Sequence, residues 1–238
     1  MMDIIPEYID IPETKPVVLC FGHAGSYGNT FREWNESAAD CAFIPVKLPR
    51  EKENFNDIAA AVAEAAAPLL QKRRYCMFGH SMGALFAFET EYILEHDYKL
   101  CADHLFVCGR HSPDNEKEEF YNTSMGDERL IMEIKRLGGT YDELLSDSRY
   151  TSVILPFIKN DYRIHETYKY CGHKVICPLE ADVGTDDISV SRSDTDGWRN
   201  MTRDCFTRRL FSGGHFFLYD DMSYFSRLYK LCSEIFAD

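Results

Sequence analysis

The chain has 238 residues, 45% of them hydrophobic, with a formal net charge of -13. That length and content fit one domain with a full buried core, and the acidic balance argues against nucleic acid as a partner, because phosphate binding needs a basic surface. No apolar run reaches the roughly 20 residues that span a bilayer, and the start from Met1 to Glu7 is acidic and lacks the basic-then-apolar layout of a secretory signal.

Taken in chain order, Val17 to Phe21 is a short continuous apolar run ending at Gly22, as in a buried parallel strand. Ala42 to Val46 reads as a second strand, and Pro45 makes it an edge or bulged one. From Asn56 to Leu70 an alanine-rich stripe at helical spacing leads into Lys72-Arg73-Arg74, cations suited to a helix C-terminus. Strand Tyr75 to Phe78 precedes a helix beginning at Ala84, and His104 to Cys108 is the next strand. Lys174 to Leu179 and Arg209 to Phe211 supply the late strands, and a final amphipathic helix covers about Met222 to Phe236. Strands alternating with helices predict a mostly parallel sheet covered on both faces, an α/β fold in a single domain spanning 1–238. The stretch 113–170 breaks the rhythm with helical segments such as Asp127–Leu137 and Tyr141–Leu145, and reads as an all-helical lid insertion above the strand carboxyl ends.

Nine cysteines occur singly with no C-x-x-C pair, which suits free thiols in a reducing cytoplasm. Cys171, His173 and Cys177 lie close in sequence, but no second ligand pair with finger-like spacing follows. A structural reading is preferred there, and no metal or other cofactor is expected.

Between the strand ending at Phe78 and the helix starting at Ala84 stands Gly79-His80-Ser81-Met82-Gly83. A G-x-S-x-G pentapeptide at a strand-to-helix turn strains the serine backbone, exposes Oγ and aims helix N-terminal N–H groups at it. Ser81 is therefore the candidate nucleophile, and it needs a base. His96, His104, His111, His165 and His173 have no special context; His80 is too close in the turn to act, and His23 reads as loop-shaping. His215 follows the last strand in the glycine-permitted loop Ser212-Gly213-Gly214-His215, where an α/β hydrolase presents its base. A carboxylate must orient that imidazole, and the strand before it runs toward Gly184-Thr185-Asp186-Asp187. Asp187 is the choice, with Asp186 a close competitor; Asp194 and Asp196 read as solvated loop acids or caps. Two N–H donors should converge as an oxyanion hole, Met82 from the turn and Ala24 from the loop after the first strand.

These residues carry a resemblance. The chain resembles the type II (editing) thioesterases that accompany nonribosomal peptide and polyketide synthetases, of α/β-hydrolase fold. Gly22-His23-Ala24-Gly25-Ser26 with Phe31 and Trp34 is similar to the family's oxyanion loop. The segment from Phe78 to Ala84 with Phe88-Glu89 is similar to its nucleophile turn. Leu137-Gly138-Gly139-Thr140, Leu155-Pro156-Phe157 and Asp161-Tyr162-Arg163 with Glu166-Thr167-Tyr168 are similar to its helical insertion, and Gly213 to Phe217 completes the match. Two departures stand out. The glycine-arginine segment usual after Leu48-Pro49 is shortened to Arg50-Glu51-Lys52-Glu53, and Ile188 replaces a common proline in the acid loop.

The resemblance implies hydrolysis of acyl thioesters on the phosphopantetheine arm of acyl or peptidyl carrier proteins, by a monomer that binds them transiently. Free-standing acyl-CoA thioesterase or carboxylesterase action is the alternative, followed by acyl transfer. Carriers of this kind are usually acidic, so docking to an acidic chain should rest on apolar contact and local basic residues.

Overall fold

The computed structural model describes residues 4–6, 11–26, 30–115, 117, 119–140 and 142–237. Tyr141, expected in a short helix, and the chain ends Met1 and Asp238 lie outside them. Six strands, β1 (Val17–Phe21), β2 (Ala42–Pro45), β3 (Tyr75–His80), β4 (His104–Cys108), β5 (Leu179–Gly184) and β6 (Phe206–Phe211), form one sheet in the order β2-β1-β3-β4-β5-β6. Every pairing is parallel. Parallel neighbours need crossovers, and here these are supplied by α1 (Arg32–Ser37), α2 (Phe55–Leu70), α3 (Met82–Ile93), α4 (Asp127–Leu137), α5 (Asp142–Ser146) and α6 (Ser148–His165), with α7 (Ser223–Ala237) closing the chain.

The strands are buried on both sides, which is why they read as unbroken apolar runs. Val17, Leu19 and Phe21 pack with Met77 and Leu105 under α2 and α3, where Phe55 and Phe86 stack at 3.8 Å between ring centres. Val18 and Cys20 point the other way, toward Trp34 of α1 and Tyr224, Phe225 and Leu228 of α7. The Asn54 side chain accepts from the Asn56 and Asp57 N–H groups at the start of α2. At its end Arg73 donates to the Leu69 carbonyl, so the cation expected at that terminus caps it directly.

Between β4 and β5 the chain leaves the sheet. Helices α4, α5 and α6 bury a cluster of their own, built from Tyr121, Leu130, Ile134, Leu145, Leu155 and Ile158. Among the described residues no helix is long and apolar enough to cross a membrane.

One strand lies later than its sequence suggests. Lys174 to Leu179 was the apolar candidate, yet that segment contributes only an isolated bridge between Val175 and Thr202, and β5 runs from Leu179 to Gly184. Glu180 and Asp182 interrupt the apolar pattern there, and both are buried. Arg209 donates to Glu180 at 2.9 Å, Arg227 pairs with the same carboxylate, and Tyr224 donates to Asp182 at 2.7 Å. Partners from β6 and α7 thus make two acids tolerable inside a central strand.

Glu91 on α3 is a third buried acid, accepting from Tyr75 Oη at 3.1 Å and from the Ala102 N–H at 2.6 Å. Burial pushes its pKa up to about 8, so the folded chain holds it protonated at neutral pH while the unfolded chain ionises it. A raised acid pKa makes folding stability fall as pH climbs from the unfolded value, 4.5, toward the folded one, about 8. Glu91→Gln keeps an acceptor and removes the titration. Its melting temperature relative to the native chain is expected to rise between pH 5 and pH 8 by at least about 2–4 °C, the shift that 1 kcal/mol makes in a domain of this size. A constant difference across that range would contradict the protonated, buried glutamate.

Candidate active site

Ser81 stands between β3 and α3 with φ 57° and ψ -120°, a left-handed conformation that a side chain resists. Its neighbours make the turn possible. A Cβ on Gly79 would collide with the Gly83 carbonyl, and one on Gly83 with the carbonyls of Phe21 and Gly22, so strand, turn and β1 pack backbone to backbone. The Ser81 N–H donates to the Cys108 carbonyl at the end of β4, 2.8 Å away. Met82 is the first residue of α3, so its N–H has no carbonyl within the helix to bond and stays available beside Ser81.

His215 is buried, on the loop after β6. Its Nδ1 lies 2.8 Å from Asp187 Oδ2 and 3.1 Å from Ser189 Oγ. Asp187 Oδ1 accepts from the Ser189 N–H and hydroxyl, each at 2.8 Å, and from the Val190 N–H at 3.1 Å. Burial pulls the Asp187 pKa upward, but the bonds from His215 and Ser189 outweigh it and hold the carboxyl below its ordinary range. Asp186 is exposed and turned elsewhere. Its role is made by its backbone, whose N–H donates to the Gly213 carbonyl at 2.9 Å and ties the two loops together.

Ser81, His215, Met82 and Ala24 line one cleft beneath the helical segment. The other histidines shape it. His80 is fully buried and its Nε2 donates to the His215 carbonyl at 2.9 Å, fixing the backbone that carries the imidazole. His23 packs edge-on against Phe216 at 4.9 Å between ring centres, and burial lowers its pKa to about 3, so it is neutral. His173 is remote from the cleft, stacked on Tyr92. Cys177 is buried and Cys171 exposed.

One contact was not foreseen from the sequence. The Asp161 carboxylate on α6 is fully buried and joins three segments. It accepts from Arg50 Nε at 2.6 Å and Nη2 at 3.0 Å, and from the Gly25 N–H at 2.8 Å. Arg50 also donates to the Ser26 carbonyl and lies over the Phe157 ring. Gly25 has φ +84°, and a Cβ there would meet Ile158 of α6 at 2.6 Å. The loop bearing Ala24 is therefore gripped from above by the helical segment. The shortened stretch after Leu48-Pro49 supplies the arginine that completes the grip, a pairing of residues 111 apart that no local pattern announces.

With this geometry in hand, likeness to known proteins is specific. Residues 16–236 match the thioesterase domain family. Thioesterase PikA5 of Streptomyces venezuelae is 30% identical, over 94% of this chain and 81% of its own length. The RedJ thioesterase from the prodiginine pathway of Streptomyces coelicolor superposes with a TM-score of 0.81 at 30% identity, covering 97% of this chain and 91% of its own. YbtT, a type II thioesterase from the yersiniabactin NRPS/PKS pathway, gives 0.79 at 28% identity, covering 93% and 94%.

The Asp161 grip yields a measurable expectation. Asp161→Asn leaves the Arg50 guanidinium without its anion and loosens the loop bearing Ala24. Hydrolysis of a test thioester is expected to slow by about ten- to a hundredfold, short of the roughly 10²–10³ that removing an oxyanion donor outright costs. Stability should fall by less than the about 3–5 kcal/mol of a fully buried pair, because Arg50 is 20% exposed. Unchanged turnover in a folded variant would show that the grip has no bearing on the site.

Proposed function

The chain belongs to the thioesterase family, as a thioester hydrolase of the type II kind found with nonribosomal peptide and polyketide synthetases, and from that premise we propose that Ser81, His215 and Asp187 form its catalytic triad and that its substrates are acyl groups on the phosphopantetheine arm of carrier proteins. The observation that carries the reading is a single cleft bordered by a strained turn serine and by an imidazole whose Nδ1 rests on a buried, ionised carboxylate.

With Nδ1–H committed to Asp187, Nε2 is the nitrogen left to take a proton. The Ser81 hydroxyl gives up its proton to it as Oγ bonds to the thioester carbonyl carbon. In this reading the Met82 and Ala24 N–H groups receive the charge that gathers on the carbonyl oxygen. Collapse breaks the C–S bond, and the thiol leaves with the proton from His215. A thiol of pKa about 8.5 departs more readily than an alcohol, so this step asks little of the acid. Water then enters, His215 takes its proton, and the carboxylic acid leaves with Ser81 restored.

The partner reading has support on the surface of the helical segment. Met125, Met132, Leu144 and Val153 are all exposed, Val153 at 72%, and all belong to the stretch 123–153 above the cleft. On a chain of net charge -13, a carrier that is itself acidic gains little from long-range attraction, so an apolar contact is the force left to dock it. We read this segment as a lid that also receives the carrier, weakly and transiently, and the protein as a monomer acting in the cytoplasm.

Ser81→Ala is expected to abolish turnover, and a fluorophosphonate probe should label the native chain at Ser81. Asp187→Asn should lower kcat by several orders of magnitude, following the loss of about 10⁴ in the equivalent serine-protease variant, whereas Asp186→Asn should leave most activity. The reverse pattern would move the acid by one residue. The same acyl group offered on a carrier and on CoA decides the substrate: a higher kcat/KM on CoA would make this a free-standing acyl-CoA thioesterase.

A further inference from the structure

Two residues beyond Asp187, the Ser189 hydroxyl touches both the carboxylate and the imidazole. Oγ donates to Asp187 Oδ1 at 2.8 Å and lies 3.1 Å from His215 Nδ1, while Asp187 Oδ2 lies 2.8 Å from the same nitrogen. An ionised carboxylate can only accept, so the one hydrogen on Oγ is committed to Oδ1. Toward His215 the hydroxyl then has only lone pairs to offer. Nδ1 faces two acceptors and must carry the ring hydrogen, which leaves the free lone pair on Nε2.

The loop does not need this hydroxyl for its shape. The Ser189 and Val190 N–H groups bond to Asp187 Oδ1 without it, Lys117 Nζ donates to the Ser189 carbonyl at 2.8 Å, and Arg136 donates to the Ile188 carbonyl at 3.3 Å. What the hydroxyl adds concerns charge. A donor on Oδ1 draws charge from the carboxylate and weakens its hold on a protonated imidazole, whereas an acceptor at Nδ1 strengthens that hold. The donated bond is the shorter and ends on an ion, so donation is the larger effect. Resting on the triad proposed above, we propose that Ser189 is a positioning residue for the reaction: its hydroxyl keeps the ring proton of His215 on Nδ1 and moderates the Asp187 charge, so that Nε2 stays a free base near neutral pH.

His23 and His80 face the imidazole from the loop after β1 and from β3, and burial keeps both neutral, His23 with its pKa lowered to about 3. On α4 Arg136 faces Asp187 but is paired with Glu133 at 2.7 Å, and burial keeps Tyr162 of α6 protonated. Across the cleft Arg110 pairs with Glu119, and His111 and His165 lie against that pair. None of these groups touches the Ser189 hydroxyl, so a change at position 189 reads on His215 and Asp187.

Ser189→Thr and Ser189→Val have nearly the same shape and differ in the hydroxyl, and the branched side chain leaves little room for water to replace it. The test follows kcat/KM from pH 5 to 9 on an acyl thioester of N-acetylcysteamine, with the His215 ring titrated in parallel by NMR. Ser189→Thr is expected to keep the native profile. Ser189→Val should raise both the acid inflection and the ring titration by about half a pH unit, a threefold change in the protonation equilibrium, and lower the plateau kcat several-fold with KM steady. An inflection that stays or falls in Ser189→Val would overturn the proposal, as would a change confined to KM, the mark of a substrate contact. A native profile lacking any inflection shared with the His215 ring sinks the triad itself, whereas a shared inflection indifferent to Ser189→Val sinks this inference alone.

Discussion

The backbone of Ser81 is the constraint around which the rest is arranged. A non-glycine residue at φ 57° costs about 1–3 kcal/mol and persists only where its surroundings leave no alternative. Here they leave none. The N–H is fastened to the end of β4, the residues on either side are glycines pressed against carbonyls, and α3 behind the turn is buried almost throughout its length. Relaxing the serine would require moving a helix packed against β1, β3, β4 and α2. The strain is what lifts Oγ away from the backbone and sets it beside the first N–H of α3.

The other residues of the cleft come from the carboxyl ends of neighbouring strands, which a parallel sheet puts on one edge. The loops after β1, β5 and β6 must then agree in position to within a hydrogen bond, and the contacts between them are chiefly backbone. Thr185 N–H donates to the Phe211 carbonyl and Asp186 N–H to that of Gly213, so the loop of Asp187 is stitched to the loop of His215 independently of the Asp187 side chain. His80, inside the serine motif, reaches the His215 carbonyl and fixes that loop to the turn. The adjacent acids divide the work. One supplies a side chain to the imidazole and the other a backbone N–H to the loop, because successive residues in a tight turn point in different directions.

What could be read from the sequence follows the range of the interaction that decides it. The glycines around Ser81 and the apolar runs of β1, β3 and β4 express local requirements and were legible. The position of β5 was not, since Glu180 and Asp182 look like loop residues until Arg209, Arg227 and Tyr224 are brought beside them by β6 and α7. His80 was expected to be buried next to the turn; its bond to a carbonyl 135 residues away was not accessible to any local argument. Asp161 is similar. It stands within a helical stretch recognisable by its motif, but its partners Arg50 and Gly25 become neighbours only when the helical segment is seated on the sheet.

That seating explains how a firm site can coexist with a cover of separate construction. The cluster of Leu130, Ile134, Leu145, Leu155 and Ile158 lies apart from the two that sandwich the sheet, yet Ile164 of α6 is buried in the sheet's own core with Phe55 and Phe86. Several of the polar ties between it and the rest of the chain fall on the loops that bear site residues. Asp161 holds the loop with Ala24, Arg136 donates to the Ile188 carbonyl beside Asp187, and His165 accepts from Arg110 at the end of β4. These fastenings, with the apolar seat of Ile164, hold the Ala24 loop and the Asp187 loop beside the fixed serine.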